Sequence, residues 1–245
     1  MENQNQNQNN NGGYLFLMLG LIIAAIILSV GFGNIKEKGE TITVKGYAEM
    51  TIKSDYTVWE ITINARQRSL AESYKKITTS KARIREYLNN NGITNDIISE
   101  SSLSSFTIYK DEANGGFSEV VAYNMVQSLI ITTKDIQKIT DLSLKINDLL
   151  SEGIELNSQP PKYYISDIGK YKIKMLGEAL RDAQKRAEVI ASSVGNKISG
   201  IKYARQGIFQ ITPQNSTEIS DWGMNDETSI IKSIKSVVDA AFYVK

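Results

Sequence analysis

The chain has 245 residues, 28 of them Lys or Arg and 27 Asp or Glu, and it contains neither histidine nor cysteine. Charge this balanced sets up no field that would gather nucleic acid. The missing residue types remove disulfides, thiol chemistry, imidazole metal ligands and every Ser-His or Cys-His nucleophile pair, leaving only sites built from carboxylates, lysines or a hard cation.

Residues 1–13 (MENQNQNQNNNGG) form an Asn/Gln-rich tract with nothing to bury, expected as a disordered tail. Residues 14–33 read as a transmembrane anchor. From Leu15 to Gly33 no side chain is charged, and Leu, Ile, Phe, Met and Val dominate. As a helix this stretch spans roughly 28 Å, against about 30 Å of hydrocarbon, and its apolar side chains favour insertion by roughly 4 to 7 kcal/mol. It is apolar on every side, unlike a helix in a soluble core. A cleaved signal would want a basic leader, which is absent, although Ser29, Gly31 and Gly33 leave a cleavage site open. No cysteine follows for lipid attachment. In the linker 34–40, Lys36 and Lys38 lie among Glu37 and Glu40, and by the positive-inside rule they favour a cytoplasmic C-terminal part.

Residues 41–245 are long enough for a large core. Ile42, Val44, Gly46, Ala48, Met50 and Ile52 share one face of a first strand, and Trp59, Ile61, Ile63 and Ala65 one face of a second over 55–67. Ser69 and Glu72 make a capping box opening a helix to residue 90, with Leu70, Tyr74, Ile77, Ile84 and Leu88 as its inward stripe, the stem of Lys81 along it, and Asn91-Gly92 as the stop. Strands follow at 96–110 and 117–132, joined by a turn that includes Gly115-Gly116. A helix over 134–151 presents Ile136, Ile139, Leu142, Ile146 and Leu149, and Gly153 ends it. Residues 154–166 are extended but broken by Pro160-Pro161, which forbids central pairing there. The longest helix, 168–194, shows Ile173, Leu176, Leu180, Ala183, Ala187, Ile190 and Val194 at spacings of three and four, and strands at 198–211 and 230–245 close the chain.

The order β-β-α-β-β-α-β-α-β-β predicts an α+β class: two β-α-β-β subdomains with antiparallel sheets packed by helices, over 41–133 and 152–245, joined by helix 134–151 and preceded by one transmembrane helix. This order resembles that of the SIMPL-domain family. The residues carrying the resemblance are Ile42 to Gly46 with Ala48, Glu178 to Glu188 (EALRDAQKRAE), Ala204 to Thr212 (ARQGIFQIT) and Ser220 to Asp226 (SDWGMND). The resemblance implies the two-subdomain fold, a place on the outer side of the cytoplasmic membrane, and a tendency to assemble. On the side of the membrane it opposes the lysine bias, and we follow it. It brings no catalytic set.

The loop Gly207 to Thr228 is the best candidate surface, because loops longer than about 12–15 residues are usually functional or disordered. Its Phe209, Trp222, Asn225 and Asp226 are the candidate partner or subunit contacts. The competing role for the two aromatics is to fold back and cap the sheet. Lys170, Lys174, Arg181 and Lys185 form a basic row that reads as a solvated helix face, with Asp182 able to pair with Arg186. Asp111, Glu112 and Glu119 bracket a turn without calcium-loop spacing. Asp55 and Asp167 read as turn or cap residues.

The expectation is a non-enzymatic envelope protein, held in the membrane by residues 15–33, extracytoplasmic (periplasmic), and working by self-association as a homo-oligomer or by binding an envelope partner, with stress response as a setting. No catalytic residues, cofactor, metal or nucleic-acid partner are expected. The alternatives are a small-ligand module using the space between the subdomains, or a hydrolase of envelope polymers using two carboxylates about 5–9.5 Å apart.

Overall fold

A computed structural model describes residues 16–27, 40–111 and 117–245. The tail 1–13, nearly all of the linker 34–40 and the turn carrying Glu112 and Gly115-Gly116 lie outside them. Residues 16–27 are helical, with every side chain exposed. The rest of the expected anchor lies outside the described residues, and among those described no helix is long and apolar enough to cross a membrane.

The class is α+β, with two sheets packed by helices. Contacts divide the chain into a smaller unit (Met1–Gly46, Leu180–Arg205, Asp239–Lys245) and a larger one (Tyr47–Ala179, Gln206–Val238). A six-stranded sheet lies wholly within the larger unit. Its central strand β2 (Tyr56–Gln67) pairs antiparallel with β5 (Phe117–Thr133) from Thr57 against Thr133 to Gln67 against Tyr123. On the far side of β5 lie β3 (Ile98–Glu100) and β4 (Ser104–Asp111). On the far side of β2 lie β6 (Leu156–Ser158) and β7 (Lys162–Tyr164), with Pro160 and Pro161 in the gap where neither strand pairs. The prolines interrupt an edge, as a residue without an N–H must.

Strand alternation places Trp59, Ile61, Ile63 and Ala65 fully inside. Helix α1 (Leu70–Asn90) and helix α2 (Ile136–Lys145), which tightens into a 3₁₀ turn over Ile146–Glu152, cover that face. Ser69 caps α1 by accepting from the Glu72 N–H at 3.3 Å, and Gly92 ends it at φ +78°. The α1 stripe differs from expectation at its start. Leu70 and Tyr74 are exposed, while Ser73 and Ser80 are buried with Ile77, Ile84 and Leu88. Ser73 Oγ explains the rotation: it donates to the Tyr123 carbonyl at 2.8 Å and accepts from the Gln67 N–H at 3.2 Å, so the first turn is hung on two strands. The stem of Lys81 lies half-buried as expected, and its ammonium meets Glu100 at 2.8 Å.

The second sheet has the order β1 (Thr41–Lys53), β11 (Ile231–Val244), β9 (Gln210–Pro213), β10 (Met224–Asn225), with β8 (Ile198–Gln206) also on β11. The expected halves are therefore redistributed. Residues 154–166 were to open the second β-α-β-β unit, but β6 and β7 join β2 in the first sheet. β1, expected in the first subdomain, belongs to the second sheet. The expected all-antiparallel pairing also has one exception, since β10 runs parallel to β9. Element order is visible in periodicity, but a strand's partner depends on long-range packing that periodicity does not encode.

Helix α3 (Ile168–Ser193) buries Met175, Ala179, Ala183, Ala187 and Ala191, a strict four-residue repeat. Ala183 and Ala187 were expected inside, but Ile173 is 76% exposed, and Ile190 and Val194 are exposed too. Alanine has no side-chain torsion to lose and lets backbones approach closely. The small face therefore packs, Leu176 and Leu180 are half-buried beside it, and Ile173, Ile190 and Val194 point to water.

Candidate interaction surface

The loop after β8 is held at several points. The Gly207 N–H donates to the Val237 carbonyl at 2.9 Å, the Asp226 N–H to the Ile211 carbonyl at 2.9 Å, and the Gln210 amide to the Ser220 carbonyl at 2.6 Å. Gly223 sits at φ +87°, in the left-handed region, where a Cβ would lie 2.8 Å from Ile208 Cγ2 and 3.1 Å from the Phe209 carbonyl oxygen. Only glycine fits both constraints.

The four candidate residues separate. Phe209 folds back: its ring packs against the cluster of Ile52, Met175, Ile211 and Ile234, with Lys172 Nζ 5.8 Å above it. Trp222 does the opposite and is 94% exposed. Asn225 is exposed on β10, opposite Ile211. Asp226 is half-buried and structural: its Oδ1 accepts from the Thr228 N–H and hydroxyl, both at 2.8 Å. Burial pushes the Asp226 carboxyl up, but the Thr228 and Ser229 hydrogen bonds and the Lys232 charge together bring the net shift down. Trp222, with Ile208 and Phe209, rims a depression of about 530 Å³ beside Lys172 and Asn225.

Two polar groupings lie near this loop that sequence reasoning missed. Lys232 is 2% exposed, and its ammonium donates to the Tyr163 carbonyl at 2.6 Å and to the Asp226 carbonyl. Burial lowers its pKa, with the charges of Asp226 and Glu227 opposing. The signal for it was parity, because Lys232 shares register with the buried Ile234 and Val238. On the opposite face of the same sheet, Glu49 accepts from Ser233 and Tyr47 at 2.5 Å each and lies 3.9 Å from Lys235, which itself donates to the Ser216 carbonyl. The Ser233 and Tyr47 bonds and the Lys235 charge hold Glu49 below its ordinary pKa. Desolvation, the bond to Glu49 and its charge push Tyr47 up to about 12. Nothing in single-sequence spacing links positions so far apart.

Residues 42–239 match the SIMPL family, described as a protein of unknown function (DUF541). The chain belongs to the SIMPL family. This SIMPL chain is also similar to the uncharacterized protein YggE of Edwardsiella ictaluri (strain 93-146), with 23% identity over 185 residues covering 74% of each chain.

Elsewhere in the SIMPL chain, Asp55 is more than a local turn residue. It accepts from the Ser166 N–H at 2.8 Å and from the Ser166 hydroxyl, clasping β7's exit. Asp167 meets Lys170 at 3.3 Å at the start of α3, and Asp182 meets Arg186 at 2.7 Å, as the spacing predicted. Among the described residues no group of three or more acids is arranged to hold a metal. A cavity of about 690 Å³ lies against the outer face of β2, walled by Pro160, Pro161 and Tyr164, and Glu60 is the one carboxylate in its lining.

Proposed function

We propose that this SIMPL-family chain is a non-enzymatic, membrane-anchored envelope protein that works by holding a second protein, another copy or an envelope component, against its surface. The observation that carries the reading is Trp222. It is 94% exposed on a loop fixed by backbone hydrogen bonds, and so costly an apolar surface in water is the usual mark of a contact site. The uncharged run 15–33 supports the anchor, and the exposed apolar side chains of helix 16–27 suit a lipid surroundings. The folded part lies on the extracytoplasmic side. Protease treatment of intact spheroplasts tests this: digestion of residues 41–245 is expected, and protection would place the domain in the cytoplasm. Replacing Trp222 with a photoreactive aromatic tests the contact. A crosslink to one discrete partner is expected, and none above background would remove the role of the loop.

A second reading rests on the cavity beside Pro160 and Pro161, whose size is within the usual range for a small-molecule site of about 300–1,000 Å³. Thermal shifts against fractionated envelope extract test it, a raised Tm with one fraction being the expected sign.

A further inference from the structure

Two prolines shape the cavity on the outer face of β2. Val58 pairs with Lys162 and Ile61 with Ser158, so two residues of β2 face three on the opposing chain, Gln159, Pro160 and Pro161. The extra residue is a bulge, and a bulged chain bends. The bend is pinned at its start, where the Gln159 N–H donates to the Glu60 carbonyl at 3.0 Å. Two consecutive proline rings fix φ along the rest of it. At the other end, the Tyr164 ring is stacked on Tyr56, centroids 5.4 Å apart and planes at 23°. The space of about 690 Å³ beneath is therefore walled by groups with little freedom to collapse into it, and every residue in its lining belongs to the larger unit.

Much of that lining is apolar, from Val58, Ile130, Pro160 and Pro161, and its two charged side chains are Glu60 and Lys162. Lys162 already has a partner. Its ammonium lies 3.2 Å from Glu227, and that bond is the largest cause raising its pKa, the Glu60 charge being the smallest of the raising causes. Glu60 is set differently. It is exposed, it shares a strand face with Val58 and Thr62, and directly across from it on β5 stands Ile130. With Lys162 matched by Glu227, the charge that a bound molecule meets is the Glu60 carboxylate. A neutral apolar occupant would strip water from that carboxylate and give nothing back, and an anion would add repulsion. A hard metal ion wants six or more oxygens, and among the described residues no group of acids could hold one. We propose that the cavity takes an organic amine, its ammonium donating to Glu60 and its apolar body packing among Val58, Ile130 and the two prolines. The proposal rests on the reading of this cavity as a small-molecule site and adds the chemical class of the ligand.

Probes that share one ring system and differ in the head group separate the classes: tryptamine carries an ammonium, tryptophol a hydroxyl and indole-3-propionate a carboxylate. Calorimetric titration into the full-length chain in detergent at pH 7 is expected to show tryptamine binding, with the other two weaker by about tenfold or more. Glu60→Gln is expected to bring tryptamine down to the level of tryptophol while leaving the Tm of the unliganded chain unchanged, as suits an exposed position. In Glu60→Lys the order is expected to invert, with indole-3-propionate the tightest of the three. No binding of tryptamine overturns the proposal. So does equal binding of tryptamine and tryptophol, undiminished binding by Glu60→Gln, or an unchanged order in Glu60→Lys. In those last three cases the cavity is still a ligand site and only the amine is lost. Failure of the cavity reading itself shows separately, as the absence of any Tm rise with every envelope fraction.

Discussion

Lys232 and Tyr163 are joined through a buried ammonium, Nζ to carbonyl oxygen at 2.6 Å, so β11 holds the middle of β7 by a charge-assisted bond. Lys232→Met leaves the Tyr163 and Asp226 carbonyls without this donor, and a cost of about 1–3 kcal/mol is expected from urea unfolding at pH 7. The pH dependence has a defined sign. Burial lowers the pKa of Lys232 in the folded chain, so between its folded and unfolded values the unfolded chain binds more protons and stability rises with pH. The stability gap between wild type and Lys232→Met should therefore widen from pH 7 to pH 10. A gap that narrows contradicts the assignment.

Ser73→Ala removes the donor to Tyr123 and the acceptor for the Gln67 N–H, both in a buried setting. A loss of about 1–3 kcal/mol is expected. Ser69→Ala, which removes only the cap, should cost about 0.5–2 kcal/mol. Thermal unfolding of the two variants side by side checks the order.

Gly223→Ala forces a Cβ into the left-handed region against Ile208 and the Phe209 carbonyl. Destabilisation of more than about 1 kcal/mol is expected, together with a change in Trp222 fluorescence as the loop moves. Trp222→Ser, which removes a side chain that touches mainly water, should shift stability by no more than about 0.5 kcal/mol. Equal losses from the two would mean that Trp222 packs against the fold.

Glu49 sits below its ordinary pKa through Ser233, Tyr47 and Lys235. A carboxylate depressed in the folded state adds stability that is present above its unfolded value, near 4.3, and fades as pH falls through the folded value. Glu49→Gln should therefore be less stable than wild type at pH 7, with the difference shrinking below about pH 4. Denaturant midpoints across that range provide the check.

How far the fold was legible depended on the range of the information needed. Trp59, Ile61, Ile63 and Ala65 lie inside because alternation within one strand is enough to say so. Ser69, Gly92 and Gly153 stop or start helices through chemistry that spans a few residues. The stripe of α3 was misread because its sequence offers two faces, and the sheet selects the one with alanine rather than the one with Ile173 and Ile190. Strand exchange between the sheets was out of reach, since nothing near Leu156 or Thr41 states which neighbour it will meet. In the loop, an exposed Trp222 and a packed Phe209 are both aromatics among polar residues, and only the surroundings in space tell them apart.

Among the described residues β1 pairs only with β11, so a strand that begins at Thr41 meets a partner that ends at Val244. During synthesis its hydrogen-bonding groups must wait until β11 has been made. Closing so wide a loop is slow, and a strand that waits this long with bare hydrogen-bonding groups is exposed to aggregation until its partner arrives.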